Sequence, residues 1–344
     1  MRSIGYLYDP LFLEHTLKGH PEHAGRLQAV MNLLQRDGAL QAAGVTPLGC
    51  VPATDAQMTE IHDYSYVTQV LSISGYGGGH MGADTYLTGA SYDAAVLAAG
   101  ACATAADAVM RGDVERAFAL VRPPGHHAFA DHGEGFCLFN NVAFAARAAQ
   151  KHAGCERVMI IDFDVHHGNG SQAIFYEDPS VLYLSSHQMP LYPGTGHLKE
   201  IGRGLGRGTT LNVPLLPGAG DQAFAHVLDE VIAPAARRYQ PQLLLVSAGF
   251  DAHWRDPLAE INVSLGGFGR MVRGLCELSD ELCGGKLDAV LEGGYDLKAL
   301  SYGALNTFRL LQGNDQIQDP LGLSDEHETD MSEIIAAARA IHQL

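Results

Sequence analysis

Short apolar runs that alternate with longer alanine-rich segments are the feature that most constrains the fold of this chain. Continuous hydrophobicity marks the runs as strands buried on both faces, and the longer segments have helical periodicity. The strands are predicted at Ser3–Tyr8, Ala117–Val121, Val158–Ile161, Val181–Leu184, Leu243–Ser247 and Ala289–Leu291. The helices are predicted at Ser91–Met110, Asn141–His152, Asp221–Tyr239 and Phe268–Leu282. This order predicts an α/β fold with a central, mostly parallel multi-stranded sheet and helices on both faces.

We predict a single domain, because no linker-like change in composition and no internal repeat interrupts the chain before about residue 310. The main part of this domain is assigned to residues 1–312. Residues 313–344 are richer in Asp, Glu and Gln, and we predict that they form a peripheral helical segment of the same domain.

Charge and cysteine usage narrow the classes of function. The chain has 22 Lys and Arg against 39 Asp and Glu, a net charge of −17, which disfavours nucleic acid as a partner and would attract cationic amines or basic peptides. An acidic surface that only maintains solubility is an equal alternative. The six cysteines form no C-x-x-C pair, and no stretch is expected to span a membrane or to act as a signal peptide. We therefore expect a cytoplasmic protein.

Polar residues collect directly after four of the predicted strands. These segments are Arg122–His127, Asp162–Asn169, Ala248–Asp251 and Glu292–Tyr295. The carboxyl ends of parallel strands meet at one edge of a sheet, where open α/β folds bind ligands. The four segments are therefore predicted to form one site.

The segment Asp162–His166 indicates a metal. Side chains at 162, 164 and 166 share one side of an extended chain, and two carboxylates beside an imidazole at the end of a buried strand need a compensating cation or hydrogen bonds. With one more Asp from a neighbouring strand they would leave an open coordination position, as in catalytic zinc sites. Iron(II) and cobalt(II) are alternatives for the same ligand types.

The motifs resemble those of the histone deacetylase family, which includes bacterial deacetylase-like amidohydrolases and acetylpolyamine amidohydrolases. The matching segments are His20–Glu22 with Arg26, Arg122–His127, Gly135–Asn141, Asp162–Gly170, Pro193–Gly196, Ser247–Asp251 and Glu292–Tyr295. They occur in the family's order over roughly residues 5–305. The resemblance implies the arginase/deacetylase-like fold and hydrolysis of an acylated amine.

The resemblance also implies the ligands of two ions. Asp164, His166 and Asp251 would bind one zinc ion. A potassium ion would lie beside it, held largely by backbone oxygens of Asp162, Asp164, His166, Ser185 and Ser186.

Catalytic roles follow from the same resemblance. Asp162 would orient His126, His127 would act as general base and then general acid, and Tyr295 would stabilise the oxyanion. Asn169 stands where one branch of the family has an aspartate paired with the second histidine, so the chain resembles the class II branch and His127 lacks a charged partner.

The predicted substrate channel is narrow and aromatic. Gly135, Phe136 and Tyr192 match positions that line a tunnel in the family, and Asp84 aligns with an acid that holds substrate backbone amides. Leu258 occupies the position of an acidic residue in polyamine-selective relatives. We therefore expect an acyl-lysine or a neutral acylated chain as substrate, while the nearby Glu260 leaves acetylpolyamines as an alternative.

Two other functions compete with this interpretation. A binuclear manganese hydrolase of the arginase type would need further paired ligands, for which Asp251-Ala-His253 is only a partial match. A non-catalytic protein that binds acylated amines would not need a general base. The oligomeric state is not defined by the sequence, although the short Gly75–Thr88 segment favours an open site over a dimer-forming insertion.

Overall fold

The computed structural model describes residues 2–344, so that Met1, the first residue of the predicted domain, lies outside them. A parallel sheet of eight strands forms the centre. Two further strands, β3 and β4, pair as an antiparallel hairpin. The strands are β1 (Ile4–Leu7), β2 (Val45–Pro47), β3 (Gly78–Met81), β4 (Thr85–Thr88), β5 (Arg116–Ala119), β6 (Val158–Asp162), β7 (Val181–Gln188), β8 (Thr210–Leu215), β9 (Leu243–Ala248) and β10 (Leu287–Leu291).

The strand order in the sheet is β2-β1-β5-β10-β9-β6-β7-β8. All seven neighbouring pairs are parallel, and Asp162 at the end of β6 lies in register with Ser185 on β7 and Ser247 on β9. The predicted strands are all present, with ends that differ by at most four residues.

Helices cover the sheet on both faces, which confirms the predicted fold class. One face carries α4 packed on α5, while α9 and α10 pack together on the other, with α1 against α10. The helices are α1 (Gly25–Asp37), α2 (Asp55–Ile61), α3 (Tyr64–Gly75), α4 (Ser91–Arg111), α5 (Asn141–Gln150), α6 (Asn169–Phe175), α7 (Asp221–Val227), α8 (Ala233–Tyr239), α9 (Leu265–Cys283), α10 (Leu297–Leu311) and α11 (Ser332–His342). Short 3₁₀ helices occupy Pro10–Leu13, Ala39–Gln41 and Gly204–Gly206.

The ends of α9 follow from local chemistry. The Ser264 hydroxyl accepts a hydrogen bond from the Gly267 N–H, and Gly284 ends the helix in the left-handed region at φ 66°. The predicted helix Asp221–Tyr239 is α7 and α8 joined by a π-helical turn at Leu228–Ile232.

Helix α4 corrects the expectation about membrane-spanning length. Its 21 residues are long and apolar enough to cross a membrane by length and composition alone. However, 78% of the apolar window is buried inside the protein, as in the core helices of globular domains.

The segment after residue 312 contacts the rest of the domain at two places. Helix α11 packs against β8 and buries Ile335. Ahead of it, the Glu328 carboxylate accepts hydrogen bonds from the Gly220 and Ala223 N–H groups at the start of α7, at 3.0 and 2.7 Å. The division of the domain at residue 312 stays a prediction.

Candidate functional site

The four polar segments meet because their strands are neighbours. Strands β5, β10, β9 and β6 lie side by side in the sheet, and each ends at the same edge. The loops that follow them carry the predicted catalytic and metal-binding side chains.

Asp164, His166 and Asp251 form a cluster whose potential ligand atoms all lie within 4.8 Å of one another. His166 Nδ1 is 3.2 Å from Asp164 Oδ1 and 3.3 Å from Asp251 Oδ2. Asp251 Oδ2 is buried and has no hydrogen-bond donor among the residues 2–344 that the structure describes. A buried carboxylate oxygen needs a hydrogen-bond donor or a cation, so this oxygen fits the role of a metal ligand.

Backbone groups hold these carboxylates in place. The Gly293 N–H donates to Asp164 Oδ2 and the Val165 N–H donates to Asp251 Oδ1, both at 2.8 Å. A Cβ atom at Gly293 would come within 2.0 Å of Asp251 Oδ2, so only glycine fits at that position.

The charges of the cluster call for a cation. Although burial opposes it, the adjacent carboxylates of Asp164 and Asp251 raise the pKa of His166 to about 10. The two carboxylates therefore favour positive charge at this position, and a divalent ion would supply it. The donor set of two carboxylates and one imidazole fits zinc.

His126 lies between this cluster and Asp162. Its Nδ1 is 3.1 Å from Asp162 Oδ2, which also accepts a hydrogen bond from the Tyr183 hydroxyl at 2.9 Å. Burial opposes protonation, but the charges of Asp164 and Asp162 outweigh it and raise the pKa of His126 to about 10. The Glu292 carboxylate fixes the backbone of this loop by accepting from the Gly125 and His126 N–H groups.

His127 has a different environment and is neutral. Burial, with the neighbouring His126 and His166, holds its pKa well below the ordinary value. Its Nδ1 is 2.8 Å from Asn169 Oδ1, and the Asn169 Nδ2 donates to Glu134 Oε1 at 2.5 Å. His127 Nδ1 therefore faces an amide oxygen, and the other end of that amide faces a carboxylate.

Two charged residues, Asp256 and Arg26, position Tyr295. Its N–H donates to Asp256 Oδ2 at 2.6 Å, and the Arg26 guanidinium lies 4.9 Å from the ring centroid. Arg26 also donates to the Gly294 carbonyl at 2.7 Å and pairs with the buried Glu22 at 3.0 Å. Burial raises the pKa of the Tyr295 phenol, so the hydroxyl stays protonated and can donate.

A cavity of about 270 Å³ leads to the cluster. His127, His166, Tyr295 and Leu191 line it. The lining also includes all five predicted substrate-binding residues, which are Asp84, Gly135, Phe136, Tyr192 and Leu258. Gly135 has φ 54°, and a Cβ there would lie 2.3 Å from His127 Cδ2, so a side chain would displace the imidazole. The Phe136 ring meets Tyr295 edge-on with centroids 5.8 Å apart.

Two of the residues predicted to hold potassium, Ser185 and Ser186, lie on β7, next to Asp162 at the end of β6. Ser185 and Ser186 are buried. The Ser185 hydroxyl bonds to His187 Nδ1 at 2.9 Å, whereas the Ser186 hydroxyl has no partner among the described residues. A buried hydroxyl oxygen of this kind fits an additional hard cation.

The geometry does not favour the binuclear alternative. Within residues 2–344, His253 belongs to neither cluster of potential ligands, and its Nδ1 accepts from the Arg255 N–H at 3.1 Å. The second cluster consists of His126, Cys137 and Glu292, where burial raises the pKa of the Cys137 thiol. Protonated thiols are poor metal ligands.

A larger groove of about 810 Å³ lies on the far side of Asn169. It is open, and its walls are formed by residues such as Phe129, Gln172, Glu177 and Arg203. Apart from Asn169, none of the predicted catalytic residues reaches it. The smaller cavity is therefore the better candidate for the reaction.

Some supporting residues had no signal that identified them in the sequence. Glu134, Asp256 and Leu191 contact the site only because loops distant in sequence converge there. Glu22 and Arg26 occur in a family motif, but their contacts with the loop before Tyr295 became apparent only from the structure.

Comparison with known proteins agrees with this architecture. The sequence profile of the histone deacetylase domain matches residues 20–311. The chain is 41% identical to histone deacetylase 10, chloroplastic, of Oryza sativa subsp. japonica over 96% of this chain and 79% of that protein. It is 36% identical to the histone deacetylase-like amidohydrolase of Pseudomonas aeruginosa, covering 93% and 89% of the two chains.

A solved structure gives the same result. The HDA15 HD domain superposes with a TM-score of 0.90 at 36% identity, over 99% of this chain and 94% of that one. A probable deacetylase of Archaeoglobus fulgidus is 40% identical over 90% of this chain and 87% of its own length. With its profile, its relatives and its fold in agreement, the chain belongs to the histone deacetylase family.

Proposed function

We propose that the protein is a zinc-dependent deacylase that hydrolyses the amide of an acetylated or short-acylated amine such as acetyl-lysine. The observation that carries the proposal is the convergence of Asp164, His166 and Asp251 in one cluster, whose His166 lines a cavity together with His127 and Tyr295. A general base and an oxyanion donor beside three metal ligands make up the apparatus for amide hydrolysis.

Asp164, His166 and Asp251 would hold the zinc ion. When bound, zinc would lower the pKa of a water molecule and polarise the amide carbonyl. The neutral His127 can accept a proton from the attacking water and return it to the leaving amine. The Tyr295 hydroxyl can donate a hydrogen bond to the oxyanion that develops from the carbonyl oxygen.

The remaining polar groups keep this apparatus in place. Asp162 orients His126 through Nδ1, and Glu292 anchors the backbone of the loop that carries both histidines. We propose that a potassium ion binds near Ser185 and Ser186, supported by the unpartnered Ser186 hydroxyl. The free thiols of all six cysteines are consistent with our proposal of a reducing, cytoplasmic location.

The cavity favours a neutral aliphatic chain. Phe136, Tyr192 and Leu258 supply apolar lining, and Glu260 does not line the cavity, which supports an acyl-lysine over an acetylpolyamine. Asp84 at the same cavity can accept hydrogen bonds from substrate amides.

The test is a substrate panel of acetyl-lysine peptides, acetylated polyamines and small acetylated amines, with zinc quantified in the same preparation. We expect one zinc per chain, hydrolysis of acetyl-lysine peptides, and loss of turnover in chelator that zinc restores. Turnover by metal-free protein would refute the metal mechanism. A hydroxamate that binds while no acylated amine is hydrolysed would instead favour a binding protein.

A further inference from the structure

We propose that Glu134 is a positioning residue that fixes the orientation of the Asn169 amide and, through that amide, the tautomer of His127. The inference rests on the proposed function, because it concerns the residue assigned there as general base. Glu134 lies in the loop between β5 and α5, is partly buried, and directly precedes the cavity residues Gly135 and Phe136.

The contacts of Asn169 define which end of its amide faces His127. The Nδ2 group donates to the Glu134 carboxylate at 2.5 Å, and a carboxylate can only accept. At the other end, Oδ1 accepts from the Gly170 N–H at 3.1 Å, and a backbone N–H can only donate. The amide is therefore held with Oδ1 towards His127.

This orientation determines where His127 carries its proton. Oδ1 lies 2.8 Å from His127 Nδ1 and is an acceptor, so Nδ1 must be the protonated nitrogen of the neutral ring. The lone pair is then on Nε2, which is free to accept a proton. A flipped amide would present a donor to Nδ1 and favour the opposite, unproductive tautomer.

Asparagine at 169 creates a problem that aspartate would not have. Both oxygens of an aspartate accept hydrogen bonds, so either orientation of the side chain supports the same His127 tautomer. An asparagine has one acceptor and one donor group, and the donor would support the opposite tautomer. Glu134 removes that ambiguity. Its negative charge also polarises the amide towards His127, because hydrogen bonds in a chain strengthen one another in a low-dielectric interior.

Glu134 also acts on the cavity wall. Burial raises the pKa of the Tyr192 phenol, and the next largest contribution is the negative charge of Glu134. Tyr192 in turn meets His127 edge-on, with ring centroids 5.2 Å apart. The Glu134 carboxylate thus influences the general base His127 through Asn169, and it also influences Tyr192 in the substrate channel.

The decisive experiment is a double-mutant cycle on the zinc-loaded protein with an acetyl-lysine peptide. E134A should lower kcat about tenfold and leave KM within about twofold, because the base is misoriented while Glu134 itself does not line the cavity. N169D alone should also lower kcat, because it places a second carboxylate against Glu134. In the E134A background, N169D should raise kcat towards the wild-type value. The repulsion between two carboxylates is then absent, and both oxygens of the new side chain can accept the hydrogen bond from His127 Nδ1.

A readout that does not depend on turnover separates this inference from the proposed function. ¹⁵N NMR of histidine-labelled, zinc-loaded protein should show His127 protonated on Nδ1 in the wild type and a mixture of tautomers in E134A. E134Q, which preserves side-chain size, should also lose kcat and respond to N169D, because a carboxamide can pair with either amide orientation. D131A removes an exposed carboxylate from the same loop and should leave kcat and the spectrum unchanged.

The outcomes distinguish the two ideas. If N169D has the same effect with and without Glu134, or if the His127 tautomer is unchanged in E134A and E134Q, the positioning role is refuted. If the tautomers behave as expected but no acylated amine is hydrolysed by the wild type, the proposed function fails and the positioning role stands.

Discussion

Replacement of Asp288 by asparagine should stabilise the protein by an amount that grows with pH. Asp288 is the second residue of β10, is fully buried, and neither carboxyl oxygen has a hydrogen-bond partner among residues 2–344. Burial raises the pKa of Asp288 well above its ordinary value.

The magnitude follows from proton linkage. The native state retains a proton on Asp288 that the unfolded chain releases above its pKa of about 4. Between that pH and the raised native pKa, the native state binds one extra proton, so the free energy of unfolding falls by about 1.4 kcal/mol for each pH unit. Asparagine has a similar shape and does not titrate, so this loss disappears in the variant.

Urea unfolding of the wild type and of Asp288→Asn at pH 5, 6 and 7 measures the effect. We expect the difference in unfolding free energy to increase in favour of the variant by about 1.4 kcal/mol per unit within that interval. The exposed Asp325→Asn is the matched control and should give a difference near zero at each pH. A difference for Asp288→Asn that does not change with pH would refute the reasoning.

Four further results are expected. Tyr295→Phe should lower kcat about 100- to 1000-fold with little change in KM in acetyl-lysine peptide assays, because one oxyanion donor is lost; an unchanged kcat would remove Tyr295 from the mechanism. Asp251→Ala should abolish stoichiometric zinc in elemental analysis while circular dichroism stays native, and retained zinc would contradict its assignment as a ligand. Leu258→Glu should raise kcat/KM for acetylated spermidine about threefold to fivefold relative to acetyl-lysine peptide, and an equal change for both substrates would argue against a role in selectivity. Glu328→Ala should lower the unfolding free energy by about 1–2 kcal/mol in denaturant titrations, because backbone donors at the start of α7 lose their acceptor; an unaltered midpoint would show that this contact contributes no stability.

The sequence predicted the central strands well, because their signal is local. β6 and β9 are continuous apolar runs followed at once by polar residues, and both appear close to their predicted bounds. β2 is only three residues long, ends in Pro47 and lies at the edge of the sheet, so it has almost no pattern to recognise. α10 was missed as well, although its apolar residues recur with a helical period.

The residues of the candidate site also fall into two groups, those with a signal in the sequence and those without one. The metal cluster could be predicted because Asp164 and His166 share a strand end and family motifs supply Asp251; the structure brings all three together, and their roles stay predictions. Glu134 could not be found by spacing, because it reaches Asn169 across 35 positions through a loop whose path depends on left-handed conformations at Gly135 and Phe136. Contacts of this kind depend on tertiary structure and leave no periodic pattern.

The place of β10 in the sheet governs how the protein can be assembled during synthesis. β10 is the last of the eight strands to leave the ribosome, yet it lies between β5 and β9 and joins the two halves of the sheet. Until residue 291 has emerged, β5 and β9 both present unpaired backbone edges, which are prone to pair with other nascent chains. A ribosome that stops before this strand therefore releases two open half-sheets without Tyr295, and we expect such products to aggregate or to need a chaperone.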